Sequence, residues 1–190
     1  MARFLAEMGC AILDTDDVSH DLQRTGGAAV ERIAERFGRD VVAPDGSIDR
    51  RKLGGIVFGD AESRAALEAI MHPLVEDEVR AWIGKLSGGV CAVLVPLLFE
   101  AGLDRKFPWD ATVAVVSSRG TQLSRLARRG FVGAEAEARI DALMPCAEKA
   151  RRADFAIKND GSLEELKDGA RKLLDAVKRL PSGEKNERNH

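Results

Sequence analysis

Apolar residues along the chain fall into two patterns. Four short runs are continuously apolar: Cys10-Ala11-Ile12-Leu13, Val90-Cys91-Ala92-Val93-Leu94-Val95, Ala111-Thr112-Val113-Ala114-Val115-Val116 and the weaker Phe155-Ala156-Ile157. Runs of this length without polar alternation predict strands buried on both faces, as in a parallel sheet covered by helices. The intervening segments show helical spacing instead. Residues 28–37 place Val30, Ile33, Ala34 and Phe37 on one face, and 62–86 carry Leu67, Ile70, Met71, Leu74, Val79, Trp82 and Ile83. Pro73 inside that second segment predicts a break or kink, because proline removes a helical N–H and crowds the preceding turn. Helices are also predicted over 121–129, over 134–143 with Pro145 as its stop, and over 162–180 with Ser162 as N-cap. Residues 2–9 read as the tail of an amphipathic helix, with Phe4, Leu5 and Met8 at helical spacing, Gly9 as its stop and no capping residue at its start.

Strands alternating with helices predict a layered α/β fold. The separation between Leu13 and Val90 exceeds one crossover helix, so several helices are inserted there. The stretch 181–190 is polar and poor in apolar residues, and is expected to be a disordered tail. Composition narrows the function class. A chain of 190 residues, 45% apolar, suits one domain with a substantial core. The formal charge of −2 argues against a dedicated nucleic-acid or membrane-surface binder. No apolar run approaches the ~18 residues of a membrane-spanning helix. Cys10, Cys91 and Cys146 are isolated thiols, an odd and scattered set that fits a reduced, cytoplasmic protein. His20, His72 and His190 form no zinc-type spacing, and no residue is assigned as a metal ligand.

The acidic triplet Asp14, Asp16 and Asp17 follows the first strand. Ligands of open α/β sheets sit beyond the carboxyl ends of strands. Extended backbone would point Asp14 and Asp16 to the same side. One carboxylate could then take a proton from a substrate hydroxyl while its neighbour helps hold Mg²⁺. The competing explanation is local, since Asp also favours turns and helix caps. Arg119, Arg125, Arg128 and Arg129 form one basic group, and Lys149, Arg151 and Arg152 a second. Placed at the hinges of a short helical hairpin they would clamp phosphates, though most charge runs are solvated helix faces. The segment from Val95 through Pro96, Leu97, Leu98 and Phe99 to Glu100 would wall a pocket or simply pack at a strand end. His72, before Pro73 in an apolar setting, reads first as a packed histidine.

These motifs in order resemble the bacterial dephospho-CoA kinase family. The resemblance rests on Ile12-Leu13-Asp14-Thr15-Asp16, Phe37-Gly38, Asp45-Gly46-Ser47-Ile48-Asp49-Arg50, Leu53, Val57-Phe58, Leu67-Glu68, Ile70 and His72-Pro73. It continues through Val95-Pro96-Leu97-Leu98-Phe99-Glu100, Gly102, Gln122-Leu123, Arg125-Leu126, Arg129-Gly130, Glu148 to Phe155, and Asn159 with Gly161-Ser162. It covers about residues 2–180. It implies a P-loop kinase fold with a five-stranded parallel core, a helical CoA-binding insert at about 20–88 and a small lid at about 119–152. It implies ATP and Mg²⁺, and phosphorylation of the ribose 3′-hydroxyl of dephospho-CoA, the last step of coenzyme A synthesis. Carried over by position, Asp16 activates the hydroxyl with Asp14 nearby, and Leu97, Leu98 and Glu100 face the acceptor nucleotide. Arg125 and Arg129 contact phosphates, Lys149 is the returning lid cation, Asn159 and Gly161 lie beside adenine, and His72 falls on the substrate side. The substrate is a small molecule, with no nucleic-acid or membrane partner, and the protein is expected to be a monomer or weak homo-oligomer.

The departures are specific. No G-x-x-x-x-G-K-[ST] run occurs; the only Gly-Lys pair is Gly84-Lys85, followed by Leu86. The family's opening strand and Gly-rich loop would precede Ala2, so a start-site error is one expectation. The other is a paralogue that binds dephospho-CoA or a protein partner without transferring phosphate. A lost central strand would leave neighbouring strands with unpaired backbone groups, each costing ~1–3 kcal/mol against a total stability of ~5–15 kcal/mol. Leu143 and Lys158 stand where the family usually has Gln and Asp.

Overall fold

A computed structural model describes residues 1–180, and the tail expected at 181–190 lies outside the described residues. In chain order the elements are α1 (Ala2–Glu7), β1 (Ala11–Asp14), α2 (Thr15–Leu22), α3 (Val30–Phe37), α4 (Arg50–Val57), α5 (Ala61–Gly84) and β2 (Cys91–Leu94). They continue as α6 (Leu103–Lys106), β3 (Val113–Val116), α7 (Arg119–Ala127), α8 (Gly133–Asp141), α9 (Cys146–Arg152), β4 (Phe155–Lys158) and α10 (Leu163–Val177). The predicted α/β alternation is present. Helices α2 and α4 fall among the inserted helices expected between Leu13 and Val90, whereas α6 and α9 give no sequence signal, because each is short and its apolar positions are too few to show a period. The strands form two two-stranded sheets, β1 with β2 and β3 with β4.

Residues Leu13–Pro96 form one compact unit. Its core gathers Leu22, Ala29, Val30, Ile33, Val41, Ile48, Leu53, Met71 and Leu74. Val30, Ile33 and Ala34 all lie on the buried face of α3, as their spacing predicts. Between α3 and α4, Val42 and Ile48 bridge antiparallel across a turn in which Asp45 Oδ1 accepts the Ser47 N–H at 3.0 Å. Asp49 and Asp60 cap α4 and α5. Pro73 does not break α5, which runs unbroken from Ala61 to Gly84. A proline in a helix interior costs ~3 kcal/mol. Met71, Leu74 and Val79 are buried on either side of it, and each full burial contributes ~1.5–3 kcal/mol. Packing therefore overrides the local penalty.

Residues Met1–Ile12 and, among the described residues, 97–180 form the other unit. There β3 lies parallel to β4, with Val113 opposite Phe155 and Val116 opposite Lys158. A parallel pair needs a long crossover, here supplied by α7, α8 and α9. Helix α9 packs on both strands, and α10 packs on β4. Phe4 and Leu5 of α1 are buried, as are Leu166, Ala170, Leu173 and Leu174 of α10, and the two helices pack together. As the sequence suggests, α1 has no side-chain cap, whereas Ser162 and Glu165 form a reciprocal capping box on α10.

The expectation of strands buried on both faces is corrected. Every residue of β1 and β2 is only half-buried, β4 alternates half-buried with exposed, and Val115 of β3 is 43% exposed. In a two-stranded sheet both strands are edges, so neither has neighbours on both sides.

Candidate active site

The acidic triplet sits where a strand becomes a helix. Asp14, the last residue of β1, is extended (φ −103°, ψ 120°) and is the N-cap of α2, its Oδ1 accepting the Asp16 N–H at 2.9 Å. Thr15 is buried and its hydroxyl donates to the Leu94 carbonyl at 2.9 Å, pinning the start of α2 to the end of β2. The extended geometry expected for Asp14 to Asp16 is therefore corrected: the helix starts at Thr15, and Asp16 lies in its first turn. The capping side chain and the favourable dipole of a helix N-terminus select acids here. The two carboxylates are thereby differentiated. That of Asp14 is committed to the backbone, whereas Asp16 is exposed and its carboxylate has no partner among the described residues. In the same unit, His72 is half-buried on α5 beside the core residues Met71 and Leu74.

Among the described residues Leu97 is the one non-glycine with positive φ, at 56°, and it is 49% exposed. Such backbone is uncommon for a branched side chain and persists where surroundings over-determine it. The Leu97 and Leu98 carbonyls accept from Ala101 and Leu103 N–H groups, each at 2.9 Å. Phe99 is buried. Glu100 Oε1 accepts from Lys149 Nζ at 2.7 Å and from the Met144 N–H at 3.1 Å, with the Lys149 and Glu100 side chains 23% and 21% exposed. Burial pushes the Glu100 carboxyl up, but the Lys149 ammonium and the backbone N–H groups outweigh it and hold it below the usual carboxylate range. Two residues expected to meet substrate separately are thus each other's partners.

Helix α7, the turn after it and the turn leaving β4 carry the remaining residues. Arg125 of α7 donates to the Asn159 carbonyl at 2.7 Å and to its Oδ1 at 3.2 Å. The Asn159 N–H continues the strand ladder to the Val116 carbonyl at 2.7 Å. Gly161 has no room for a Cβ, which would run into the Glu165 carboxylate of the capping box. Arg129 is exposed and has no ion-pair partner among the described residues. Arg119, by contrast, is paired with Asp141 at 2.6 Å.

Three pairings were not foreseen. Asp104 takes both its hydrogen bonds from Arg152 (2.9 and 2.8 Å), whose guanidinium also lies 5.3 Å from the Phe99 ring. Asp154 accepts from both the N–H and the hydroxyl of Thr112. Asp160 Oδ1 accepts the Ser118 N–H at 2.7 Å. Partners 42 or 48 residues apart leave no spacing signal in a single sequence. Among the described residues no group of three or more His, Cys, Asp or Glu side chains gathers as a metal cage, and no helix is long and apolar enough to cross a membrane.

A family model described as dephospho-CoA kinase matches residues 1–165. A dephospho-CoA kinase of Symbiobacterium thermophilum is 46% identical over 168 residues, spanning 86% of this chain and 70% of its own. One from Geobacillus kaustophilus is 40% identical over 190 residues, spanning 97% and 92%. Among solved structures, TT1252 from Thermus thermophilus superposes with a TM-score of 0.72 at 32% identity, over 92% of this chain and 88% of that one. A dephospho-CoA kinase from Campylobacter jejuni, 23% identical with a TM-score of 0.64 over 92% of this chain and 89% of its own, shares the fold.

Proposed function

The chain belongs to the dephospho-CoA kinase family, transferases that complete coenzyme A synthesis, and on that premise we propose how its own residues serve ATP-dependent phosphorylation of the ribose 3′-hydroxyl of dephospho-CoA. The non-catalytic alternative is not favoured by these relatives. Asp16 is the general base. It takes the hydroxyl proton as that oxygen bonds to the γ-phosphorus, and the bond from γ-phosphorus to the bridging oxygen breaks to release ADP. The observation that carries this reading is the exposed, unpartnered Asp16 carboxylate beyond the carboxyl end of β1. Asp14 supports it by capping α2, which sets the direction of the Asp16 side chain.

Arg125 and Arg129 serve the phosphates and Asn159 with Gly161 the adenine. Leu97, Leu98, Glu100 and Lys149 line the acceptor nucleotide's side, and His72 serves the substrate side of the helical insert. Mg²⁺ usually keeps several waters and takes one or two carboxylates plus phosphate oxygens. With Asp16 kept as the base, Asp14 fits that demand as a single carboxylate ligand through its second oxygen, and the bound ion would neutralise phosphate charge. Three cysteines that form no disulfide fit a cytoplasmic setting.

The direct test is conversion of dephospho-CoA to coenzyme A by the 190-residue chain and by the chain extended with its in-frame upstream codons. ATP-dependent product that Asp16→Asn reduces by about 10²–10⁴-fold supports the reading. Product formation unaffected by Asp16→Asn sinks the assignment of the base. Turnover confined to the extended chain supports the start-site expectation, and an in-frame stop codon directly before Met1 removes it.

A further inference from the structure

The turn after β4, residues 159–162, is held from two directions. From one side, Arg125 grips the Asn159 carbonyl and side chain, and the Asn159 N–H reaches the Val116 carbonyl. From the other, the Ser162 N–H donates to Glu165 Oε2 at 2.6 Å within the capping box of α10. Between them stands Asp160, whose Oδ1 accepts the Ser118 N–H at 2.7 Å. Ser118 is itself the N-cap of α7, its hydroxyl oxygen accepting the Thr121 N–H at 3.2 Å. The Asp160 carboxylate therefore ties the turn after β4 to the residue that starts α7, the helix that bears Arg125 and leads into the turn holding Arg129. Asp160 is exposed, and its carboxylate is engaged by the Ser118 N–H with the Thr121 and Ser118 side chains beside it, so neither core packing nor a surface ion pair accounts for it.

We propose that Asp160 is a positioning residue for nucleotide binding: by accepting the Ser118 N–H it holds the 159–162 turn and the start of α7 in one register, so that the adenine side and the phosphate-side arginines are presented together. This rests on the proposed roles of Asn159, Gly161, Arg125 and Arg129, and adds a residue to which those roles assign nothing. The bond from Ser118 is also the foremost cause holding the Asp160 carboxyl below the usual range, with Arg125 among the lesser ones. A charge-assisted bond to a backbone N–H is stronger and better directed than a neutral one.

The test compares Asp160→Ala, which removes the acceptor, with Asp160→Asn, which keeps an oxygen in its place and removes the charge. Loss of one hydrogen bond of ordinary net strength, as at this exposed site, corresponds to about two- to tenfold in affinity. Asp160→Ala is expected to raise KM for ATP, and the calorimetric Kd for ATP, by that factor. The kcat and the KM for dephospho-CoA stay within twofold, and Asp160→Asn restores most of the affinity. Unchanged ATP affinity in Asp160→Ala overturns the proposal. So does a parallel rise of both KM values, or an Asp160→Asn chain as impaired as Asp160→Ala. An Asp160→Ala chain that fails to fold while Asp160→Asn folds makes the residue a stability determinant and also overturns it. The ATP Kd is read without phosphoryl transfer, so failure of Asp16 as base leaves this test intact.

Discussion

At the scale of single residues, adjacent carboxylates carry different burdens. Asp14→Ala removes the cap of α2 and is expected to cost ~0.5–2 kcal/mol in urea unfolding. Asp16→Asn is expected to leave stability within ~0.5 kcal/mol, because its side chain is exposed and unpartnered. Comparing denaturation midpoint with turnover for the two variants separates cap from base. Equal destabilisation by both would show that Asp16 also holds the helix. Gly161 offers a second case. A Cβ there displaces the Glu165 carboxylate from the capping box, so Gly161→Ala is expected to lose about what a cap contributes, ~1 kcal/mol. In a Glu165→Ala background the same substitution has nothing left to displace, and its cost should fall towards zero, a non-additivity that a double-mutant cycle reads directly. Asp14 and Asp16 were legible as candidates because three acids at a strand end stand out. Their division of labour was not, because it depends on the helix starting at Thr15, which α2 is too short to announce.

At the scale of elements, two ion pairs fasten α9 to the segment after β2. Lys149 and Arg152 lie three apart on α9, and their partners lie four apart, Glu100 in the turn after β2 and Asp104 in α6. The Glu100 carboxyl is held below its usual range, so the sign of its linkage to folding is set. The folded state binds the proton more weakly than the unfolded one. The stabilisation is fully present above the ordinary carboxylate pKa and is lost as pH falls through the lowered folded value. Lys149→Met is expected to cost about 1.5–3 kcal/mol at pH 7, and to flatten the acid limb of the stability profile. Chemical denaturation across pH 3 to 7 measures both, and a limb as steep as the parent's would mean that other carboxylates dominate it. Strong local signals carried well at this scale: Ser162 opens α10 as its capping sequence indicates. Pro73 carried less: of the break or kink that local cost predicts, the break does not occur, in a helix that buries Met71, Leu74 and Val79.

At the scale of the molecule, the unit Leu13–Pro96 has a core centred on Ile33 and Val41, which are 0% and 1% exposed. Ile33→Ala is expected to lower unfolding free energy by ~2–5 kcal/mol, as read by urea titration. A loss below 1 kcal/mol would mean that the site collapses around the cavity. Gly27 guards the same core, because a Cβ there would strike the Leu22 carbonyl, which is backbone and cannot swing aside. The order of chemistry-bearing residues, the α/β alternation and the family to which the chain belongs were all readable from the one-dimensional pattern, since they depend on residue type, local period and motif order. Three things were decided only in the folded chain: that the strands pair two by two and stay half-exposed, that Glu100 and Lys149 neutralise each other, and that Arg125 and Asp160 join turns far apart in sequence. Each depends on which distant segments become neighbours, and the free energy of a contact between residues 30 to 50 positions apart leaves no periodic trace along a chain.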